Sequence, residues 1–285
     1  MNILVTGSNG QLGNEMRVLS AAHPKHTYFF TDIAELDITD KAAVSDFVAT
    51  NAIDLIVNCA AYTNVDKAEE DEVTAMKINA DAVGILGSQG VKVIHISTDY
   101  VFSGDEHLPC REIDPVAPRT AYGRTKYEGE KRLLAACPEA VILRTAWLYS
   151  EYGNNFVKTM IRLGHEKEKL GVVFDQIGTP TYAADLAQAI FTVIEHHVWQ
   201  PGIYHFTNEG VCSWFDFTIA IHELAGIRTC QVSPILSEEY QYRTPRPHYS
   251  VLDKSKFKKT FNVEIPYWLD GLRRCIKIIN LRQSF

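Results

Sequence analysis

Three residue types that can move a proton at a carbonyl oxygen fall close together in this chain. Ser97-Thr98-Asp99-Tyr100 follows directly on the apolar run Val93-Ile94-His95-Ile96, and Tyr122-Gly123-Arg124-Thr125-Lys126 opens the next helical pattern. Tyr122 and Lys126 stand four apart, so on a helix they share a face. An ammonium there would stabilise the phenolate and pull the phenol below its ordinary pKa of about 10. With the Thr98 hydroxyl as a hydrogen-bond partner, such a phenol is a general acid for a carbonyl that receives a hydride. The Y-x-x-x-K spacing alone is near chance in a chain this rich in both residues, and Tyr127/Lys131 repeats it. That second pair lies about 140° further around the helix and reads as surface or packing.

A hydride donor needs a cradle, and residues 3–13 supply the pattern for one. The run Ile3-Leu4-Val5 has strand length. Glycines follow at Gly7, Gly10 and Gly13, and Leu12, Met16 and Leu19 then recur at helical spacing. Glycine meets three demands of a dinucleotide turn: positive φ, close approach of backbone to a pyrophosphate, and tight helix-on-strand packing. The intervening Asn9, Gln11 and Leu12 belong to the same cradle, and the helix start offers unpaired N–H groups to phosphate. Asp32 ends a second strand-like run, Tyr28-Phe29-Phe30, at the distance where a carboxylate accepts from a ribose 2′-OH. A solvated strand-end residue is the plainer reading of the same position.

These residues require a scaffold in which strands deliver loops to one edge. Strand patterns at 3–6, 27–30, 55–58, 93–96 and 141–144 alternate with helical patterns at 11–21, 41–50, 65–87 and 122–136. That alternation predicts an α/β fold with a doubly wound parallel sheet and ligand sites at the strand carboxyl ends. After residue 150 the rhythm loosens. Helices are expected at 155–166, 183–197, 214–225 and 267–280, with prolines in Thr244-Pro245-Arg246-Pro247. We therefore expect a dinucleotide-binding domain over 1–150 and a smaller, mainly substrate-binding lobe over 151–285 that sends segments back to the first.

The chain has 285 residues, 46% of them hydrophobic, and a net charge of −7, which argues against nucleic acid or an anionic membrane surface as partner. Its six cysteines show no C-x-x-C spacing, and no basic stretch precedes the first apolar run, so a cytoplasmic protein with reduced thiols is expected.

The glycine cradle, Asn58-Cys59-Ala60-Ala61, Ser97-Thr98-Asp99-Tyr100-Val101-Phe102 and Tyr122-x-x-x-Lys126 together resemble the extended short-chain dehydrogenase/reductase superfamily. Tyr62-Thr63-Asn64-Val65-Asp66-Lys67, Arg144-Thr145-Ala146-Trp147-Leu148-Tyr149, Gly153-Asn154-Asn155-Phe156-Val157 and Asp175-Gln176-x-Gly178-x-Pro180-Thr181 carry the resemblance further, to its dTDP-4-dehydrorhamnose reductase family. The resemblance implies a Rossmann-like core and NADH- or NADPH-dependent reduction of the 4-keto group of dTDP-6-deoxy-L-lyxo-4-hexulose to dTDP-L-rhamnose. It implies Thr98, Tyr122 and Lys126 as the catalytic triad, with Lys126 also on the nicotinamide ribose. Ala60, Ala61 and Tyr62 would line the cofactor, and Asp37 and Ile38 would lie near its adenine.

On the substrate side the resemblance implies Val65, Asp99, Tyr100 and Trp147 near the sugar and Asn155 and Arg246 near the diphosphate. Each has a plainer reading: Trp147 as core, Val65 as the first turn of a helix, Arg246 as a clasp in a proline-rich loop. Some family members hold Mg2+ at a dimer interface. Glu15 and Asp185 match those acidic positions loosely, and lone carboxylates are ordinarily solvated, so no metal ligand is assigned and the assembly, a homodimer included, stays open. Asp32 favours NADH, no arginine follows it to take a 2′-phosphate, and the resemblance implies tolerance of both coenzymes. Two other readings share the fold: a nucleotide-sugar epimerase, and a non-catalytic regulatory subunit like that of methionine adenosyltransferase.

Overall fold

A computed structural model describes residues 1–240 and 243–283. Six strands form its central sheet: β1 (Asn2–Thr6), β2 (Thr27–Thr31), β3 (Leu55–Asn58), β4 (Lys92–Thr98), β5 (Val141–Thr145) and β6 (Gly202–His205). All pair in parallel, in the order β6-β5-β4-β3-β1-β2. Strands covered on both faces must be apolar throughout, and Ile3, Leu4 and Val5 are all fully buried. Ile3, Val5, Leu55, Val57 and Ile94 face one core with α1 (Gln11–Ser20) and, from the far half of the chain, α8 (Ala183–Glu195). Leu4, Ile56, Val93 and Ile142 face the other core, beneath α2 (Lys41–Thr50) and α6 (Ala121–Ala136).

The segment 65–87 departs from the single helix its periodicity predicts. It is built as α3 (Val65–Glu70), α4 (Glu72–Met76), a π-helical turn (Lys77–Asp81) and α5 (Ala82–Gly87). Asp71 breaks it by leaving helical geometry and capping α4, its carboxylate accepting from Thr74 N. The π turn aims Asn79 inward, where it accepts from Tyr62 N at 2.8 Å and donates to Thr125 Oγ1 at 3.1 Å. Gly129 on α6 lacks the Cβ that would collide with the Asn79 carbonyl.

A second hydrophobic cluster forms beyond the sheet, around Val157, Phe217, Ile221, Trp268 and Leu272. It joins α7 (Phe156–Glu166), α9 (Trp214–Ala225) and α11 (Trp268–Gln283). Meanwhile α8, β6 and α10 (Ser255–Phe261) pack with the central sheet through Ile190, Tyr204 and Phe257. None of the described helices is long and apolar enough to cross a membrane.

Candidate active site

Strand order reverses beside β1, whose neighbours are β2 and β3, and a crevice opens there at the carboxyl ends. Gly7 leaves β1 at φ +63°, and a Cβ on it would lie 2.6 Å from Ala60 N on the loop after β3. Only glycine lets these two loops close on each other. Gly10 N donates to Gly7 O at 3.1 Å, and the start of α1 carries no side-chain cap, so its first N–H groups are left for an anion. This backbone fits a dinucleotide pyrophosphate.

From that cradle a cleft of about 1210 Å³ runs between the sheet and the second cluster. Gly7, Gly10, Gln11, Leu12, Asp32, Asp37, Ile38, Ala60 and Ala61 line its first part. Three further sequence-predicted cofactor residues, Asn9, Tyr62 and Gly13, are not among the residues that line it. Asn9 turns its N–H to Asp32 Oδ2 at 3.0 Å, Tyr62 is held through its backbone by Asn79, and Gly13 is the residue where a Cβ would overlap Gly7 O and Ser8. Asp32 thus serves the loop as well as the cleft. Asp37 accepts from Thr39 N and Oγ1, which holds its carboxyl below the usual range.

Thr98 ends β4, and Thr120 caps α6 by accepting from Gly123 N at 3.0 Å, which puts Tyr122 in the first turn. Tyr122 and Thr98 line the same stretch of the cleft, and Thr98 Oγ1 donates to Asp99 Oδ1 at 3.0 Å. The approach is tight because Gly123 carries no Cβ to strike the Tyr100 carbonyl. Tyr100 meets Tyr122 edge-on, ring centroids 5.4 Å apart. Burial pushes Tyr122 up to about 12, opposed by the Thr98 hydrogen bond, and pushes Asp99 up to about 7.

Lys126 corrects one expectation. Its Nζ donates to Ile96 O at 2.6 Å and lies 3.3 Å from His95 Nε2, and burial lowers it to about 8. The phenol is therefore raised by burial rather than lowered by the ammonium. Thr98, Tyr122 and Lys126 nevertheless all line the one cleft. Tyr127 and Lys131 lie elsewhere, the amine over its own neighbour's ring at 5.3 Å.

Val65, Asp99, Tyr100, Trp147, Asn155 and Arg246 line the cleft's second part. Trp147 adopts φ +49°, a strained conformation for a bulky residue, and stacks on Trp214 at 3.5 Å. Gly178 makes room for it, since a Cβ there would lie 2.5 Å from the indole. Arg246 Nη2 donates to Asp66 Oδ2 at 2.8 Å, and its positive charge opposes the burial that raises the Tyr100 phenol. Asn155 caps α7 and donates to Gln11 Oε1 at 2.9 Å. Trp214 escaped sequence reasoning because its partner is 67 positions away, and the helical run around it reads as ordinary core.

Glu15 and Asp185 are each engaged by polar side chains of this chain. Asp185 accepts from Arg274 and Asn208, Glu15 accepts from Ser150 Oγ, and among the described residues no three His, Cys, Asp or Glu side chains cluster as ligands.

The family model described as the RmlD substrate binding domain matches residues 1–281. The chain belongs to that family. It is 38% identical over 284 residues to the dTDP-4-dehydrorhamnose reductase of Aggregatibacter actinomycetemcomitans, covering 95% of this chain and 97% of that protein. A crystal structure of a dTDP-4-dehydrorhamnose reductase from Clostridium acetobutylicum superposes with a TM-score of 0.94 at 41% identity, covering 98% of this chain and 100% of the other. One from Bacillus anthracis, determined in complex with NADP, superposes at 0.92 with 39% identity, covering 97% and 99%. Members of the RmlD substrate binding domain family thus span nearly the full length of this chain.

Proposed function

We propose that the chain is an NAD(P)H-dependent reductase that converts dTDP-6-deoxy-L-lyxo-4-hexulose to dTDP-L-rhamnose. The observation that carries this reading is that Thr98, Tyr122 and Lys126 line the same cleft that begins at the Gly7/Ala60 cradle. The full-length likeness to reductases of that name, one of them solved with NADP, supports it.

The nicotinamide group, when bound, supplies a hydride to the sugar carbonyl carbon. The N–H groups at the start of α1 would hold the pyrophosphate, with Ala60 and Ala61 lining the same part of the cleft. Tyr122 stays protonated at neutral pH because it is buried, so its Oη–H is available to a carbonyl oxygen that gains negative charge. Thr98 Oγ1 aligns that phenol, and it is itself aligned by Asp99. Lys126, which lines the same cleft, would hold the nicotinamide ribose. Trp147 and Trp214 offer an apolar face to the deoxy-sugar, and the Arg246 fork suits the diphosphate.

Oxidation of NADH and NADPH by the purified protein against a panel of dTDP-, GDP- and UDP-linked 4-keto sugars tests the proposal. One equivalent of coenzyme oxidised per dTDP-6-deoxy-L-lyxo-4-hexulose is the expected result. Tightly retained NAD with no net oxidation would replace it with an epimerase. An inert protein that instead binds methionine adenosyltransferase would make it a regulatory subunit.

A further inference from the structure

A hydroxyl has one proton and two lone pairs, and the neighbours of Thr98 Oγ1 determine how each is used. Tyr100 N donates to it at 3.2 Å, and a backbone N–H can only donate, so one lone pair is taken. Its proton goes to Asp99 Oδ1 at 3.0 Å. What remains is the second lone pair. While Asp99 is a carboxylate, Thr98 can therefore accept from the Tyr122 phenol or from a sugar hydroxyl, but it has no proton for a carbonyl oxygen, which itself only accepts.

A proton on Asp99 reverses this. The carboxyl then donates to Thr98 Oγ1 across the same contact, and the hydroxyl proton is released, so that Thr98 and the Tyr122 phenol become two donors for one oxygen. Thr98 and Asp99 both line the cleft and are at most 5% exposed. Burial raises the Asp99 carboxyl to about 7, opposed first by the Thr98 hydroxyl, so both forms are populated near neutral pH. The ionisable groups around it are Tyr100 and Cys110 from the same connection between β4 and α6 and Tyr122 from α6, all raised by burial and uncharged at neutral pH. Arg246 is paired with Asp66, and the Lys126 amine donates to Ile96 O.

We propose that Asp99 is a positioning residue that sets the direction of the Thr98 hydrogen bond: ionised, it keeps the hydroxyl as an acceptor, and protonated, it turns that hydroxyl into a second donor for the reacting carbonyl. The proposal rests on the reductase reading for the identity of that carbonyl, but its first test needs no turnover. Carbon-13 NMR of aspartate-labelled protein, with the Asp99 carboxyl assigned by its loss in Asp99→Asn, follows the titration. Thr98→Val removes the hydroxyl while keeping the β-branched shape and the net charge. The Asp99 midpoint should then rise by about one pH unit, because the carboxylate loses a donor that stabilises it. A midpoint that is unchanged or lowered overturns the proposal.

The second test is single-turnover reduction of dTDP-6-deoxy-L-lyxo-4-hexulose by NADPH between about pH 5.5 and about pH 7.5, on the acid side of the Lys126 amine at about 8. The native rate should fall about fourfold across this range, as the protonated fraction of a carboxyl at about 7 does. In Asp99→Asn and in Thr98→Val the fall should vanish, since one lacks the titrating group and the other lacks the hydroxyl whose direction it sets. A fall that persists in Thr98→Val shows the Asp99 charge acting directly on the reaction and overturns the proposal, as does a native rate that is flat or rises. If Thr98→Val does not fold, Asp99→Asn decides: a fall that persists there overturns the proposal. A chain that shows the expected carboxyl shift and reduces no 4-keto sugar rejects the reductase function and leaves the hydrogen-bond assignment standing.

Discussion

Asn155 Nδ2 donates to Gln11 Oε1 at 2.9 Å, joining residues 144 positions apart across the mouth of the cleft. Gln11 opens the helix behind the glycine cradle and Asn155 caps the helix that begins the outer cluster. One hydrogen bond thus couples the loop proposed to hold the cofactor with the wall proposed to hold the sugar nucleotide.

Asn155→Ala should lower stability by about 1 kcal/mol from the lost cap, roughly 2–4 °C in Tm for a chain of this length. Gln11→Ala should cost less, because the cap remains. A double-mutant cycle on thermal unfolding measures the coupling, and a coupling energy of zero would show that the two sides are not tied through this bond.

Tyr122→Phe should keep cofactor affinity and lower turnover by about 10²–10⁴-fold, since the general acid is lost while the cradle is untouched. Steady-state NADPH oxidation and fluorescence titration of the coenzyme check the two halves separately. Native turnover in this variant would remove Tyr122 from the chemistry.

Asp32→Ala should weaken NADH by about 1.5–3 kcal/mol, the worth of a hydrogen bond to a charged group, and weaken NADPH less. Because Asp32 also holds the Asn9 N–H, both affinities should drop somewhat, so the informative quantity is their ratio. Calorimetric titration with each coenzyme measures it, and an unchanged ratio would leave Asp32 as a loop brace alone.

Glu15→Gln should flatten the fall in stability between about pH 4.5 and about pH 8. Burial, reinforced by Glu151, raises the Glu15 carboxyl to about 8 in the folded chain, whereas the unfolded chain releases that proton near its ordinary value of 4.5. The raised carboxyl therefore contributes stability that is complete below about pH 4.5 and is lost as pH rises through about 8. Urea unfolding of both proteins from pH 5 to about 8.5 should show the variant gaining on the native chain as pH rises. Parallel curves would place the titration elsewhere.

Much of the central sheet was legible before any coordinates. Leu55–Asn58 reads as a strand because four apolar-to-polar residues sit between turn signals, and Gly7 reads as a turn because no other residue tolerates its φ and its neighbour. The helix break at Asp71 was not legible. Apolar periodicity continues across it, and only the capping geometry of its side chain and the inward pull on Asn79 divide the segment.

The order of residues along the chain determined which groups exist: a glycine turn behind a buried strand, a hydroxyl at the end of another, and a phenol and amine one helical turn apart. Those are consequences of local sterics and period, and they need no partner from afar. Tertiary structure decided what each group is bonded to. The phenol's acidity, the direction of the Lys126 amine and the Trp147–Trp214 wall all depend on burial and on neighbours delivered by distant strands. Desolvation is a property of the packed whole, so no spacing rule along a single helix could have predicted that burial would raise this phenol.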